Sequence, residues 1–232
     1  DWSSDVCSSD LPDTLTTTSD PRSELVAAGQ AYFTGAGRDY AESWSCNSCH
    51  ADGLSDTLIW NAGPFSGRKV SRPFFWLEGT WPLGWDGYLS SVDNYAFTVN
   101  TNVGVRPTTA EHRALSAYLS SLLAPPPANG FTRRDGSLSE LGLRGKQVYE
   151  NEAGCATCHP LPLTSNRALL GTGITEGTTD VPALIGSYRL GAWMKRGEAT
   201  SLSEAIDVVF ESLGDPGLDG EQRGALEQFM LS

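Results

Sequence analysis

Cys46-Asn47-Ser48-Cys49-His50 recurs 109 positions further on as Cys155-Ala156-Thr157-Cys158-His159. Two thiols three positions apart on one turn can each add to a vinyl group of the same porphyrin. The His directly after the second Cys is then held beneath the iron as its proximal ligand. Two other readings use the same residues: a zinc site made of the four Cys, and a pair of thiol–disulfide motifs. Zinc requires neither His50 nor His159, yet these are two of only three His in the chain. A thiol redox motif expects a βαβ setting, and no such pattern surrounds either pair. The motifs therefore predict two covalently bound haem c groups. Cys46, Cys49, Cys155 and Cys158 are the attachment points, and His50 and His159 the iron ligands.

Outward from the motifs the sequence continues to repeat. Arg72-Pro73 matches Val181-Pro182 at an offset of 109, Trp85-Asp86-Gly87 lies opposite Lys195-Arg196-Gly197 at 110, and Ala114-Leu115 lies opposite Ala225-Leu226 at 111. Landmarks in one order at a nearly constant offset indicate two copies of one unit. Ala124-Pro125-Pro126-Pro127-Ala128 between them cannot continue a helix and reads as a semi-rigid linker. The expected division is a first domain over 12–124, a Pro-rich linker over 125–135 and a second domain over 136–232. Helices are predicted over 23–33, with Ser23 as cap, and over 109–123, 140–149, 201–213 and 220–231. Strand-like alternation is scarce. The fold class expected is all-α: two tandem cytochrome c-like domains, each with one haem and long loops.

Residues 1–11 (DWSSDVCSSDL) read as the in-frame translation of a sequencing adapter joined to an incomplete gene. Cys7 and Asp1, Asp5 and Asp10 are then not native, which leaves 25 acidic against 16 basic residues. A signal peptide is expected to have been lost with the true start. The net charge of −12 argues against nucleic acid as a partner, and no apolar run reaches the roughly 18 residues of a membrane span.

The halves differ in what could bind iron opposite the proximal His. Met194 lies in a loop 35 residues after His159 and is the expected second ligand of that haem, while Met230 sits on the apolar face of the last helix as a core residue. At the position of Met194 the first half has Gly84. His112, the remaining His, starts a helix where a surface role suffices. The first haem is thus expected to be five-coordinate, water-bound, or held by an unusual ligand such as a Tyr. An open position on the iron can bind a small molecule; a closed one cannot.

On these residues the chain resembles the bacterial di-haem cytochrome c peroxidase family, which includes the MauG-like proteins. The resemblance covers most of residues 23–232. It is carried by Ser45 to Gly53, by Trp85-Asp86-Gly87, and by Val181-Pro182-Ala183-Leu184 followed by Met194 and Ser201 to Ala205. It implies that electrons enter at the second haem from a small redox protein or another donor and pass to the first, where peroxide is met. It further implies an aromatic side chain between the haems, with Trp81 and Trp85 as candidates, and a calcium ion bridging the domains. Family peroxidases move protons with a distal carboxylate downstream of the Trp-Asp-Gly segment. Here residues 94–110 contain neither Asp nor Glu, which leaves Glu78, Asp86 and Asp93 as substitutes. Arg68, Lys69, Arg72, Arg189, Lys195 and Arg196 are candidates to neutralise haem propionates.

The function expected is haem binding and electron transfer. The first haem is either a peroxidase-like site, or one of two closed haems in a carrier or in a redox module of a longer protein. Haem c attachment in bacteria takes place outside the cytoplasm, so a periplasmic or otherwise exported location is expected.

Overall fold

The structure, a computed structural model, describes residues 21–35, 45–61, 67–102, 104–124, 131–133, 135–171, 174 and 177–232. The adapter-like segment 1–11 and most of the Pro-rich stretch, residues 125–130 and 134, lie outside the described residues.

The chain is mostly helical. Helix α1 (Glu24–Thr34) starts where Ser23 accepts a hydrogen bond from the Val26 N–H, satisfying one of the free amides of the first turn. Next come α2 (Cys46–Cys49), a single turn carrying the first motif, then α3 (Val92–Asn102) and α4 (Thr109–Ser121). Thr108 and Glu111 close the start of α4 with a reciprocal capping box. In the second half α5 (Glu140–Gln147) widens into a π-turn over Val148–Glu152 that leads directly to Cys155. Helices α6 (Leu202–Leu213) and α7 (Gly220–Met230) complete the chain, the latter capped by Asp219 and Gln222. The expected helices therefore form with ends shifted by one or two residues, and α3 is the first-half partner of α6.

Two short antiparallel ladders qualify the all-α expectation. Strands β1 (Ile59–Asn61) and β2 (Arg68–Val70) pair in one half, β3 (Leu169–Leu170) and β4 (Thr179–Asp180) in the other. Strands of two or three residues fall below the length at which alternation can be recognised in a sequence.

Each half has its own apolar core. One joins Phe33, Phe74, Leu77, Leu89, Val92, Leu115 and Leu119; the other joins Val148, Tyr149, Trp193, Leu202, Ile206 and Leu226. In each, the first and last helices cross at a glycine. A methyl group on Gly29 would lie 2.0 Å from the Ala114 carbonyl oxygen, and one on Gly145 would lie 1.9 Å from that of Ala225. Only hydrogen fits at these crossings.

The halves meet about a local two-fold relation that follows the 110-residue offset. Val70 N–H donates to the Lys195 carbonyl at 3.0 Å, and Asp180 N–H donates to the Trp85 carbonyl at 2.9 Å. The Ile59 side chain reaches over Gly197 just as that of Leu169 reaches over Gly87. Among the described residues no helix is long and apolar enough to cross a membrane.

Candidate functional site: two Cys-x-x-Cys-His centres

The first motif forms α2 because Ser45 and Ser48 cap each other across the turn, the Ser45 N–H donating to Ser48 Oγ at 3.1 Å. This puts Cys46 and Cys49 on one side, with His50 emerging at the end. His50 Nδ1 lies 3.3 Å from the Leu54 carbonyl, and His159 Nδ1 lies 2.9 Å from that of Thr164. An Nδ1–H donated to a carbonyl leaves the lone pair on Nε2, the arrangement that second-shell partners impose on metal-binding imidazoles. Burial pushes His50 down to about 4 and lowers His159 as well, so both imidazoles are neutral. Neutral imidazole is the form that ligates iron.

The four motif Cys are free thiols. Burial pushes Cys46, Cys49 and Cys155 up to about 11, the reverse of what a thiol–disulfide nucleophile needs. Cys46 packs on the first core and Cys155 on the second, so the pairs belong to separate cores and do not converge as one zinc site. Among the described residues no three His, Cys, Asp or Glu side chains gather into a metal-binding cluster.

A cavity of about 430 Å³ opens against the first motif. Ser45, Cys46, Cys49 and His50 form part of its wall. The rest comes from Tyr32 and Phe33 of α1, Trp60 and Asn61 of β1, Phe74, and Val105, with Tyr95, Ala96, Val99 and Asn100 of α3 and Leu115 and Leu119 of α4. Phe74 stacks on His50 with ring centroids 3.8 Å apart, and Tyr95 meets Phe74 edge-on at 5.5 Å. Asn100 is committed: its side-chain amide donates to the Ala96 carbonyl, and its Oδ1 accepts from the Tyr32 hydroxyl. An apolar, concave space with both thiols and the imidazole on one wall fits a covalently held porphyrin. Among the described residues no carboxylate lines it.

The three acidic candidates lie elsewhere. Glu78 accepts from Ser120 Oγ at 2.6 Å. Asp93 pairs with His112 Nε2 at 2.7 Å and accepts from Ser116, which places His112 in a surface contact as well. Asp86 bridges Lys69 (3.1 Å) and Lys195 (2.7 Å) from opposite halves. Thus Lys69 and Lys195, candidates for propionates, are held on a carboxylate at the junction, and Arg72 pairs with Asp180 at 3.4 Å. Both aromatic candidates sit at this junction too. Arg72 lies 5.0 Å above the Trp85 ring, whose Nε1 donates to the Val70 carbonyl, and Arg167 lies 5.1 Å above Trp81.

The alignment of Gly84 with Met194 is visible in the backbone. Each opens an equivalent turn, closed by the Leu83–Leu89 bridge in one half and the Trp193–Ala199 bridge in the other. Gly84 has φ +78° and Met194 φ +68°. A left-handed conformation suits Gly and strains Met by about 1 kcal/mol or more, and such strain persists where a side chain is needed. Met194 packs on the second core together with Cys155, Leu161 and Leu184. Sequence reasoning missed Tyr95, Phe74 and Asp180. The helical spacing of Tyr95 and Val99 on α3 was the available signal for the first, and nothing in the sequence marks Asp180.

No protein-family model matches the chain. Hydrazine synthase subunit gamma from Kuenenia stuttgartiensis is 28% identical over 171 residues, covering 67% of this chain and 48% of that relative. The chain thus spans about half the length of the relative it matches. Among solved structures, a Kuenenia stuttgartiensis hydrazine synthase chain superposes with a TM-score of 0.77 at 21% identity, over 90% of this chain and 87% of that one. A MauG-like protein associated with microbial copper homeostasis gives 0.70 at 16% identity, over 95% and 93%. The di-haem peroxidase BthA from Burkholderia thailandensis gives 0.54 at 15% identity, over 89% and 79%.

Proposed function

We propose, from the premise that this chain has the fold of the MauG-like and di-haem peroxidase proteins, that it is an exported di-haem c-type cytochrome. In this reading the His159/Met194 half receives electrons, and the His50 half holds an open site for a small molecule such as peroxide. The observation that carries the reading is the apolar cavity whose wall presents Cys46, Cys49 and a carbonyl-oriented neutral His50. Bound haem supplies one-electron redox chemistry and, where a coordination position is free, a place for a small ligand.

The chain's own residues do the rest. Cys46 and Cys49, with Cys155 and Cys158, would anchor the groups covalently. The Leu54 and Thr164 carbonyls hold the imidazoles by Nδ1, which leaves Nε2 as the atom that would ligate iron. Leu115, Leu119, Val99 and Phe74 exclude water from the first cavity, which strengthens any polar contact made inside it. Tyr95 brings to that cavity a hydroxyl that makes no hydrogen bond among the described residues, and burial keeps it protonated. It is suited to donate to a bound ligand.

A second reading is favoured by residues 94–110, which contain neither Asp nor Glu. Without a group to carry a proton, peroxide cleavage lacks its usual assistance, and the chain then serves as an electron carrier. The likeness to a subunit of hydrazine synthase supports a variant in which that carrier works within a larger assembly.

The deciding measurement is the absorption and EPR spectrum of the ferric, haem-loaded protein. One high-spin haem beside one low-spin His/Met haem is expected. Two low-spin haems select the carrier, and a protein that takes up no covalent haem overturns both readings.

A further inference from the structure

The two halves exchange bulk between a turn and a helix. At the offset of 110, Gly84 corresponds to Met194, and Tyr95 of α3 corresponds to Ala205 of α6. The folded chain keeps this register: the Leu83–Leu89 bridge matches Trp193–Ala199, and the core residues Val92 and Ala96 match Leu202 and Ile206. In the second half the turn carries the long side chain, and Met194 packs on the same core as the buried Ala205. In the first half the turn carries none, and Tyr95 packs on the core from the helix. Crowding is not the reason, because a Cβ on Gly84 would meet Leu89 at 3.6 Å and Tyr88 at 3.8 Å, ordinary contact distances.

The polar side chains around the first cavity can be followed to their partners one by one. The Tyr32 hydroxyl donates to Asn100 Oδ1 at 3.2 Å, and Asn100 Nδ2 donates to the Ala96 carbonyl at 2.7 Å. Trp60 Nε1 donates to Asp56 at 2.8 Å, Ser45 Oγ lies 3.4 Å from Ser48 Oγ, and Asn61 has an interaction of its own. His50 and the two Cys are taken by the haem in the reading above. Among the described residues the Tyr95 hydroxyl is left without a hydrogen-bond partner. Its ring is fixed edge-on to Phe74 at 5.5 Å, and Phe74 stacks on His50 at 3.8 Å. An oxygen that borders an apolar space and meets no protein partner is available to whatever fills that space.

We propose that Tyr95 selects the ligand of the first centre: where the second half supplies the Met194 sulfur, the first half supplies a hydroxyl that donates a hydrogen bond to a small iron-bound anion or oxygen-terminated ligand. This rests on the open-site reading above. The exchange of Gly84 with Met194 leaves a coordination position free, and the exchange of Tyr95 with Ala205 gives that position a donor. The ligand class follows from the chemistry. Peroxide, hydroxide and fluoride accept a hydrogen bond from a phenol, whereas a ligand without a strong acceptor gains nothing from it.

The test is ligand binding by the full haem-loaded chain, with fluoride on the ferric protein and carbon monoxide on the ferrous protein. Iron-bound fluoride accepts a hydrogen bond strongly and carbon monoxide weakly, so the pair separates donation from access. Tyr95→Phe keeps the ring against Phe74 and removes the hydroxyl. It is expected to weaken fluoride binding about tenfold, through the loss of one hydrogen bond, and to change carbon monoxide binding by less than about threefold. The fluoride charge-transfer band is expected to move to shorter wavelength. Equal effects on both probes, or a fluoride change below about threefold, overturn the proposal. So does a phenolate-to-iron charge-transfer band in the native ferric protein that Tyr95→Phe abolishes, since the oxygen is then a ligand and not a donor. If Tyr95→Phe does not mature, Gly84→Met combined with Tyr95→Ala decides: the exchange predicts a low-spin first haem, and a high-spin one overturns it. Two low-spin haems in the native protein sink the open-site reading itself, whereas a high-spin first haem whose fluoride binding ignores Tyr95→Phe sinks this proposal alone.

Discussion

Replacing Gly145 by Ala should loosen the second half and disturb its His. Gly145 sits where α5 crosses α7, and an added methyl would lie 1.9 Å from the Ala225 carbonyl oxygen and 2.7 Å from the Phe229 Cβ. Ordinary contact begins near 3.4 Å, so the helices must part by about 1.5 Å. A gap of that size forfeits half or more of the dispersion energy across the crossing, including the edge-on Tyr149–Phe229 pair at 5.1 Å. Against an overpacking cost of roughly 3 kcal/mol, the upper part of the usual range, stands a gain of about 0.5–1 kcal/mol in helix propensity. The net cost is about 2 kcal/mol, a fall in Tm of roughly 4–8 °C for a chain of this size. The consequence reaches the site because the Tyr149 hydroxyl donates to the His159 carbonyl at 2.5 Å. Urea unfolding of the haem-loaded protein, with the spectrum of the second haem, gives the readout. Gly224→Ala is the matched control: it lies on α7, is exposed, and its methyl would meet nothing within 4 Å. That variant should gain about 0.5–1 kcal/mol. If Gly145→Ala is as stable as the native chain, the crossing is not what limits this helix pair and the reasoning fails.

Two further outcomes follow from the junction and the second centre. Burial pushes the Asp180 carboxyl up to about 6 against the pull of Arg72. The folded state therefore holds this proton more tightly than the unfolded chain, whose value is near 3.8. The contribution is full below about pH 3.8 and is lost as pH rises through 6, by about 3 kcal/mol in total. Asp180→Asn should remove that pH dependence in unfolding curves taken from about pH 4 to about pH 7, and parallel curves for the two proteins would refute it. Met194→Leu should convert the second haem from low-spin to high-spin, with loss of the sulfur-to-iron charge-transfer absorption, while the first haem's spectrum stays as it was. An unchanged second haem would exclude Met194 as its ligand.

The chemistry proposed for this chain is read from five-residue motifs because haem attachment would depend on local spacing: two Cys and a His on one turn need no distant partner. The helices were legible for a similar reason, since Ser23, Leu115, Leu119, Ile206 and Leu226 act through caps and periodicity within a dozen residues. Even the left-handed turn at Gly84 and Met194 could be located by the repeat, although its strain is a property of the folded backbone. What the tertiary structure decided is whatever depends on residues far apart in sequence. Tyr95 and Phe74 become walls of the first cavity only when α3 and the loop before it close over α2. Glu78, Asp86 and Asp93 look alike as carboxylates, yet Ser120, two lysines and His112 take them away from that cavity. Arg72 and Asp180 lie 108 positions apart and pair only because two copies of one unit pack about a common axis. Local spacing points to the cofactor proposed; long-range packing determines which side chains surround each motif, because contacts depend on distance in space and not along the chain.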